Sequence, residues 1–210
     1  SRFYFSFQNV KTELKKEIIE FFLKENHVVA VKSLDGNYDL LVGVMVKNYP
    51  QAQSFWQNTI KNYGKYFSKR VFNPFSQEDA YAYRVLLDET NIRPTIIYQC
   101  LDTGERVEID DLDDKIIGLL TKNARMSTID IANELNSTSS VIHYRLKKLM
   151  ESKIILAYRL HIDFSKLGYY IYKVDIKLNQ FDKIDNLLRY VESLPNLFCI
   201  MKTIGYVDLE

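Results

Sequence analysis

The 210 residues carry a net charge of only +1 at pH 7, with 47% hydrophobic and 26% charged residues, which is enough apolar material for the cores of two ordinary domains. No apolar run nears the roughly 20 residues of a membrane-spanning helix and no charged-then-apolar leader is present, so a soluble, cytoplasmic protein without membrane contact is expected. Cys100 and Cys199 are the two cysteines; far apart and with no CxxC pair, they suggest neither a zinc site nor a disulfide framework, and they are expected as two buried thiols.

Residues 1 to 75 read as β-α-β-β-α-β. Phe3 to Phe7 alternates aromatics as a strand, and Glu13 to Leu23 carries Leu14, Ile18, Phe21 and Phe22 at helical spacing. His27 to Val31 reads as a strand, Asp35-Gly36-Asn37 as a turn, and Tyr38 to Val46 as the strand returning from it. Ala52 to Tyr63 is the second helix, closed by Gly64 at a C-cap, and Tyr66 to Phe72 the last strand. That order is a ferredoxin-like sandwich of one sheet and two helices.

Residues 76 to 109 form a connector, with strands expected at Tyr81 to Leu87 and Thr95 to Cys100. Pro94 marks a break, and Asp102-Thr-Gly-Glu105 a turn leading to Arg106 to Ile109.

Residues 110 to 163 hold three short helices. Leu112, Ile116, Ile117, Leu119 and Leu120 line the first, which ends near Asn123. Ser127-Thr-Ile-Asp130 has capping-box spacing and opens the second, with Ile129, Ile131, Ala132 and Leu135 following at near-helical spacing. Only Asn136 and Ser137 separate it from Thr138, an N-cap for the third. There Val141, Ile142, Leu146, Leu149 and Met150 fall on one face, leaving His143, Tyr144, Arg145, Lys147 and Lys148 on the others. This is a helix-turn-helix plan. The apolar and aromatic run Ile154 to Leu160 is expected as a wing strand. Charge is segregated: the first part of the module carries about −3 and the stretch from Asn136 to Leu160 about +4, and the basic end is where phosphates would sit.

After the module, Tyr169 to Leu178 alternates as a strand, Phe181 to Leu194 reads as a helix with Ile184, Leu187, Leu188 and Val191 on one side, and Leu197 to Lys202 as a strand before the turn Gly205-Tyr-Val-Asp208. Asn196 to Lys202 parallels Asn26 to Lys32, Lys202 standing 170 positions after Lys32. The ferredoxin-like fold is therefore expected to be duplicated, with its second copy stopping at the third strand. A chain that opens on Ser1 and closes on Asp208-Leu-Glu210 reads as the middle of a longer tandem protein, or as one completed by a partner chain.

These residues resemble the Lrp/AsnC family, the leucine-responsive and asparagine-synthesis type transcription regulators. The resemblance rests on Ile109-Asp110-x-x-Asp113-x-x-Ile116-Ile117-x-x-Leu120-x-x-Asn123-Ala124-Arg125-x-Ser127, then Ile131-Ala132-x-x-Leu135, Arg145-Leu-Lys-Lys-Leu149, Ile154-Ile155, Tyr158 and Leu167-Gly168. Val29 to Val42 is similar to the family's strand, Gly-x-Tyr-Asp turn and strand. One departure is Lys153, where the family usually has Gly at the end of the recognition helix, which forfeits an easy left-handed cap. In the second copy Tyr206 falls one place early and Val207 takes the aromatic's position.

The resemblance implies an α+β protein: an effector-sensing ferredoxin-like domain over 1–75, a connector over 76–109, a winged helix-turn-helix over 110–163 and a partial second ferredoxin-like domain over 164–210. It implies a sequence-specific transcription regulator that binds double-stranded DNA as a homodimer or higher homo-oligomer and senses a small effector, such as an amino acid. Ser139, Ser140, His143 and Tyr144 would lie nearest the bases and Arg145, Lys147 and Lys148 mostly on phosphates, with Thr138 and Arg159 also at the DNA. The effector would sit near Gly36, Asn37, Tyr38 and Asp39, with Gly205 and Asp208 as second-copy counterparts. At such a turn glycine permits φ > 0, and exposed N–H groups and a carboxylate can meet an amino acid. A tight hairpin turn without ligand is the other reading of those four residues.

No other chemistry stands out. His27, His143 and His161 do not cluster at metal-ligand spacing, the acidic run Asp110 to Asp114 suits a helix start, and no phosphate loop or nucleophile elbow is present. No catalytic residue, metal or cofactor is expected. Siroheme decarboxylases resemble the same family, but the His-Asn-Tyr-Arg run and Asn-x-Trp associated with them are missing, Trp56 being the single Trp. A sensing module that has lost DNA binding is the third alternative.

Overall fold

Phe3, Phe5 and Phe7 alternate with Tyr4 and Ser6 along β1 (Arg2–Phe7), so successive side chains point to opposite faces of the sheet it centres. β2 (Val28–Ser33), β3 (Leu40–Val44) and β4 (Phe67–Asn73) complete that antiparallel sheet in the order β2-β3-β1-β4. Phe3 lies opposite Val42 on one side and Phe72 on the other, and Phe5 opposite Leu40 and Arg70. The helices α1 (Thr12–Lys24) and α2 (Tyr49–Tyr63) cover one face, where Ile18, Phe22 and Phe55 pack on Phe3, Phe5, Leu40, Val42 and Val44. Each of these buried side chains contributes roughly 1.5–3 kcal/mol.

The structure, a computed structural model, describes residues 1–87, 94–101 and 103–210. It has two units, Ser1–Glu78 with Lys173–Val191 and Ile200–Glu210, and Asp79–Tyr172 with Glu192–Cys199. Local signals fix α2: the Asn48 side chain accepts from Gln51 N–H at 3.0 Å, and Pro50 stands in the first turn. Gly64 follows at the C-cap, but with an ordinary right-handed φ of −55°. It is small for packing, since a Cβ there would meet Ile60 Cγ2 at 2.9 Å.

In the second unit, α3 (Asp111–Lys122), α4 (Thr128–Glu134) and α5 (Ser139–Glu151) pack around Ile116, Ile131, Ala132, Ile142 and Leu149. Ile116, Ile131 and Ile142 are completely buried. Nearby, Tyr83, Phe164, Tyr169 and Phe198 form an aromatic cluster, and buried Arg84 donates to the carbonyls of Glu192 and Leu194. β5 (Phe75–Tyr81), β6 (Ile96–Leu101) and β7 (Cys199–Thr203) form a second sheet in the order β6-β5-β7, and α6 (Ile184–Ser193) follows a 3-10 turn at Phe181–Lys183. The fold is α+β, a ferredoxin-like sheet-and-helix layer together with a helix-turn-helix. Among the described residues no helix is long and apolar enough to cross a membrane.

Several expectations are corrected. Ile154 to Leu160, expected as the wing strand, forms no strand, because its backbone has no ladder partner among the described residues. Tyr169 to Leu178 has one bridge, Ile176 to Leu209. β1 has a neighbour on each side, whereas this segment has that single bridge among the described residues. The strand expected at Tyr81 to Leu87 lies earlier, at 75–81, and Arg84–Leu86 is a 3-10 turn. Residues 106–109 form no strand, and Asp102 of the expected turn lies outside the described residues. The thiols are not both buried: Cys100 is exposed and Cys199 half-buried.

Candidate nucleic-acid interface and sensing turns

Each helix of the module is started by its own side chains. Asp110 accepts from the N–H groups of Leu112 and Asp113, both at 3.0 Å, and Asp113 accepts from Asp110 N–H in return, a complete capping box. Ser127 Oγ accepts from Asp130 N–H at 3.1 Å and donates to the Asp130 carboxylate at 2.6 Å. Thr138 Oγ1 accepts from Val141 N–H at 3.3 Å, as its N-cap position predicts.

The turn between α4 and α5 is closed by Asn136 at φ 50°, with Ser137 N–H donating to Ala132 O and Asn136 N–H to Asn133 O. That pair of bonds is a Schellman motif, and Asn tolerates the left-handed conformation it needs. The same motif ends α5: Ile154 N–H donates to Leu149 O, Lys153 N–H to Met150 O, and Lys153 stands at φ 58°.

The outer face of α5 presents Thr138, Ser139, Ser140, His143, Tyr144, Lys147 and Lys148, all exposed. Ser139 Oγ lies 3.5 Å from Thr128 Oγ1. Among the described residues Lys147 pairs with Glu151 at 3.8 Å, both side chains being exposed. A groove of about 490 Å³ runs along this helix, lined by His143, Leu146, Lys147, Met150, Glu151 and Tyr158.

Two basic residues expected at the DNA are turned elsewhere. Arg145 pairs with Asp110 at 2.6 Å and with the buried Asp113 at 3.3 Å, tying α5 to the start of α3. Hydrogen bonding by the Asp113 backbone, helped by Arg145, holds the Asp110 carboxyl below its usual range, and Asp110 in turn raises the guanidinium. Arg159 lies over the Tyr83 ring, 4.4 Å from its centroid, and donates to Tyr81 O.

The two turns expected near an effector use their residues structurally. The Asp39 carboxylate accepts from Phe7 N–H at 2.7 Å, Asp39 N–H donates to Phe5 O, and Leu34 N–H donates to Asp39 O. The same three bonds recur at the turn that ends on Asp208: the Asp208 carboxylate accepts from Leu178 N–H at 2.6 Å, Asp208 N–H donates to Ile176 O, and Thr203 N–H donates to Asp208 O. The two carboxylates expected to meet a ligand thus close strand ends. Asp208 stands 169 positions after Asp39 and Ile176 stands 171 after Phe5, so the single expected offset of 170 splits in two. Gly36 does not use a positive φ, whereas Gly205 does, at 115°. Gly36, Asn37 and Gly205 are exposed. Tyr38 is buried against Tyr4 and Tyr206, and burial with Tyr206 beside it pushes its phenol up to about 12.

A family model described as winged helix-turn-helix DNA-binding matches residues 109–155. An uncharacterised HTH-type transcriptional regulator of Pyrococcus abyssi is 34% identical over 101 residues, 48% of this chain and 69% of that protein. One of Pyrococcus furiosus is 32% identical over 103 residues, 49% and 70% of the two chains. Regulatory protein AsnC of Haemophilus influenzae is 41% identical over 61 residues, 29% of this chain and 41% of that one. The chain belongs to the Lrp/AsnC family. These Lrp/AsnC relatives bear the names of regulators, not of enzymes.

Two features of this Lrp/AsnC chain could not be read from motif spacing. One is the Arg145 tie: Asp110, Asp113 and Arg145 all stand in the quoted motif, but nothing in their spacing says that they meet. The other lies on the sheet face opposite α1 and α2, where the Glu210 carboxylate accepts from Tyr4 OH at 2.7 Å, Asn73 Nδ2 at 2.5 Å and Arg2, with Lys173 Nζ at 3.4 Å. Burial alone would raise the Glu210 carboxyl; Arg2 and the neighbouring donors outweigh it and hold the group below its usual range. The period-2 pattern of β1 puts Arg2 and Tyr4 on one face, but nothing in it announces a distant carboxylate.

Proposed function

We propose that this chain is a sequence-specific, DNA-binding transcription regulator whose ferredoxin-like part responds to a small effector, with an amino acid as the expected class. The observation that carries this is the outer face of α5. With Ile142 and Leu149 buried behind it, Ser139, Ser140, His143, Tyr144, Lys147 and Lys148 all stand exposed on a helix started at Thr138. A polar, basic helix face of this size suits the major groove, its hydroxyls, imidazole and phenol reaching base edges and its two lysines reaching phosphates. Arg145 and Arg159 serve the module from inside. Association of chains would set two such helices about 34 Å apart, one turn of duplex, and an effector at the exposed turn positions Gly36, Asn37 and Gly205 would act by favouring one spacing.

Fluorescence anisotropy against mixed-sequence duplex at several salt concentrations tests this. Affinity that falls steeply with salt supports phosphate contacts and justifies a search for an operator. Negligible binding at low salt would sink the proposal and return the chain to the pure-sensor or enzyme alternatives.

A further inference from the structure

The sheet face opposite α1 and α2 carries Tyr4, Tyr38 and Leu41, at 1%, 8% and 4% exposure, although neither helix covers it. Its cover comes from residues of the second copy. Tyr206 packs edge-on against Tyr38, ring centroids 5.6 Å apart, and the Lys173 ammonium lies over the Tyr4 ring at 4.6 Å. Val207 and Leu209 are themselves buried.

The three hydrogen bonds repeated in the two turns make Arg2 the counterpart of Lys173 and Leu41 the counterpart of Glu210. Both cations of equivalent position therefore converge on one carboxylate, and that carboxylate occupies the place of a leucine. Tyr206, the aromatic that falls one place early, stands where the first copy has Asn37, and its ring fills the contact with Tyr38.

We propose that the two ferredoxin-like copies are partners for each other within one chain, joined face to face and held in register by the Glu210 cluster. A second copy of the chain meeting this face with its own Leu41 in place of Glu210 would leave Arg2, Tyr4 and Asn73 without their acceptor. Buried ion pairs add little net stability against apolar replacements but penalise any arrangement that breaks them, so the cluster acts chiefly as a selector of the right partner. The sensing unit is then an asymmetric pair with two different turns, and association between chains uses other surfaces. This inference does not depend on DNA binding.

The test is photocrosslinking of the full chain with Tyr206→p-benzoylphenylalanine, an aromatic replacement at a half-buried position. Unlabelled chains carrying the substitution are unfolded and refolded with an equal amount of ¹⁵N-labelled wild-type chain, irradiated, digested and weighed. The expected adducts join position 206 to peptides around Leu34 and Tyr38, all of them light with light. Light–heavy hybrids making up about half of the adducts would show pairing between chains and overturn the proposal. No adduct to that face, in a chain with native circular dichroism, would overturn it as well. Adding Glu210→Gln should lower the intrachain yield several-fold; an unchanged yield would remove the cluster's role as selector.

Discussion

The division of labour among the basic residues of α5 gives the sharpest test of the DNA-reading proposal. Each phosphate contact contributes about 0.9 to the slope of log affinity against log salt, so a fourfold rise in salt weakens binding about 3.5-fold per contact. Lys147 and Lys148 are exposed, and the Lys147–Glu151 pair at 3.8 Å is of the solvent-facing kind that holds a side chain only weakly. Replacing both lysines by Ala should lower the slope by about 1.8 per recognition helix, equivalent to about 12-fold less sensitivity over that salt range. Arg145 should behave differently. Its guanidinium is committed to Asp110 and Asp113, so Arg145→Ala should leave the salt slope unchanged while lowering the thermal midpoint of the module, because the buried Asp113 carboxylate loses its cation. Anisotropy titrations at four or five salt concentrations, with a melting curve for each variant, read both effects. If Arg145→Ala lowers the slope by about 0.9 with an unchanged melting curve, the tie to α3 is not its role. If the double lysine variant keeps the wild-type slope, the docking face is wrong.

Other outcomes follow from single positions. Lys153 holds a left-handed conformation at φ 58°, which costs a side-chain-bearing residue roughly 1–2 kcal/mol against glycine's entropic penalty of about 0.5–1. Lys153→Gly should therefore stabilise the chain by about 0.5–1 kcal/mol in urea unfolding, with Lys153→Ala near neutral; a destabilising Gly contradicts the cap geometry. Asp39→Ala removes the acceptor for Phe7 N–H and should cost about 1–2 kcal/mol, so wild-type stability in that variant would release Asp39 for a ligand role. The Glu210 carboxyl is depressed below its usual value of 4.5 in the folded chain, so its contribution is present above pH 4.5 and is lost as pH falls through the lower folded value. Near-ultraviolet circular dichroism should show an acid transition of the wild type below pH 4.5 that is missing in Glu210→Gln, and identical titrations of the two would contradict the assignment.

The helices and their ends were legible because their causes are local. A hydrophobic period of 3.6, an N-cap hydroxyl at Thr138 and the two-residue turn at Asn136 and Ser137 act over less than two turns of chain, and α3, α4 and α5 lie close to where that spacing puts them. Strands were legible only where a partner exists. β1, flanked by β3 and β4, matched its alternation, while the equally strand-like runs at 154–160 and 169–178 formed no ladder beyond the Ile176–Leu209 bridge. Strand pairing is a long-range property, and a pattern of apolar residues does not supply the neighbour.

The candidate site divides along the same line. Sequence by itself determined that α5 is amphipathic, capped at Thr138 and basic outside, since these depend on residue type and spacing alone. Tertiary structure decided which charges remain for a partner. Arg145 meets carboxylates about 32 to 35 positions away, Arg159 lies over Tyr83, and Glu210 draws in Arg2, 208 positions earlier. A charged side chain brought out of water takes the best counter-charge or ring that folding places beside it, and that neighbour is set by the packing of helices and sheet faces rather than by the local sequence.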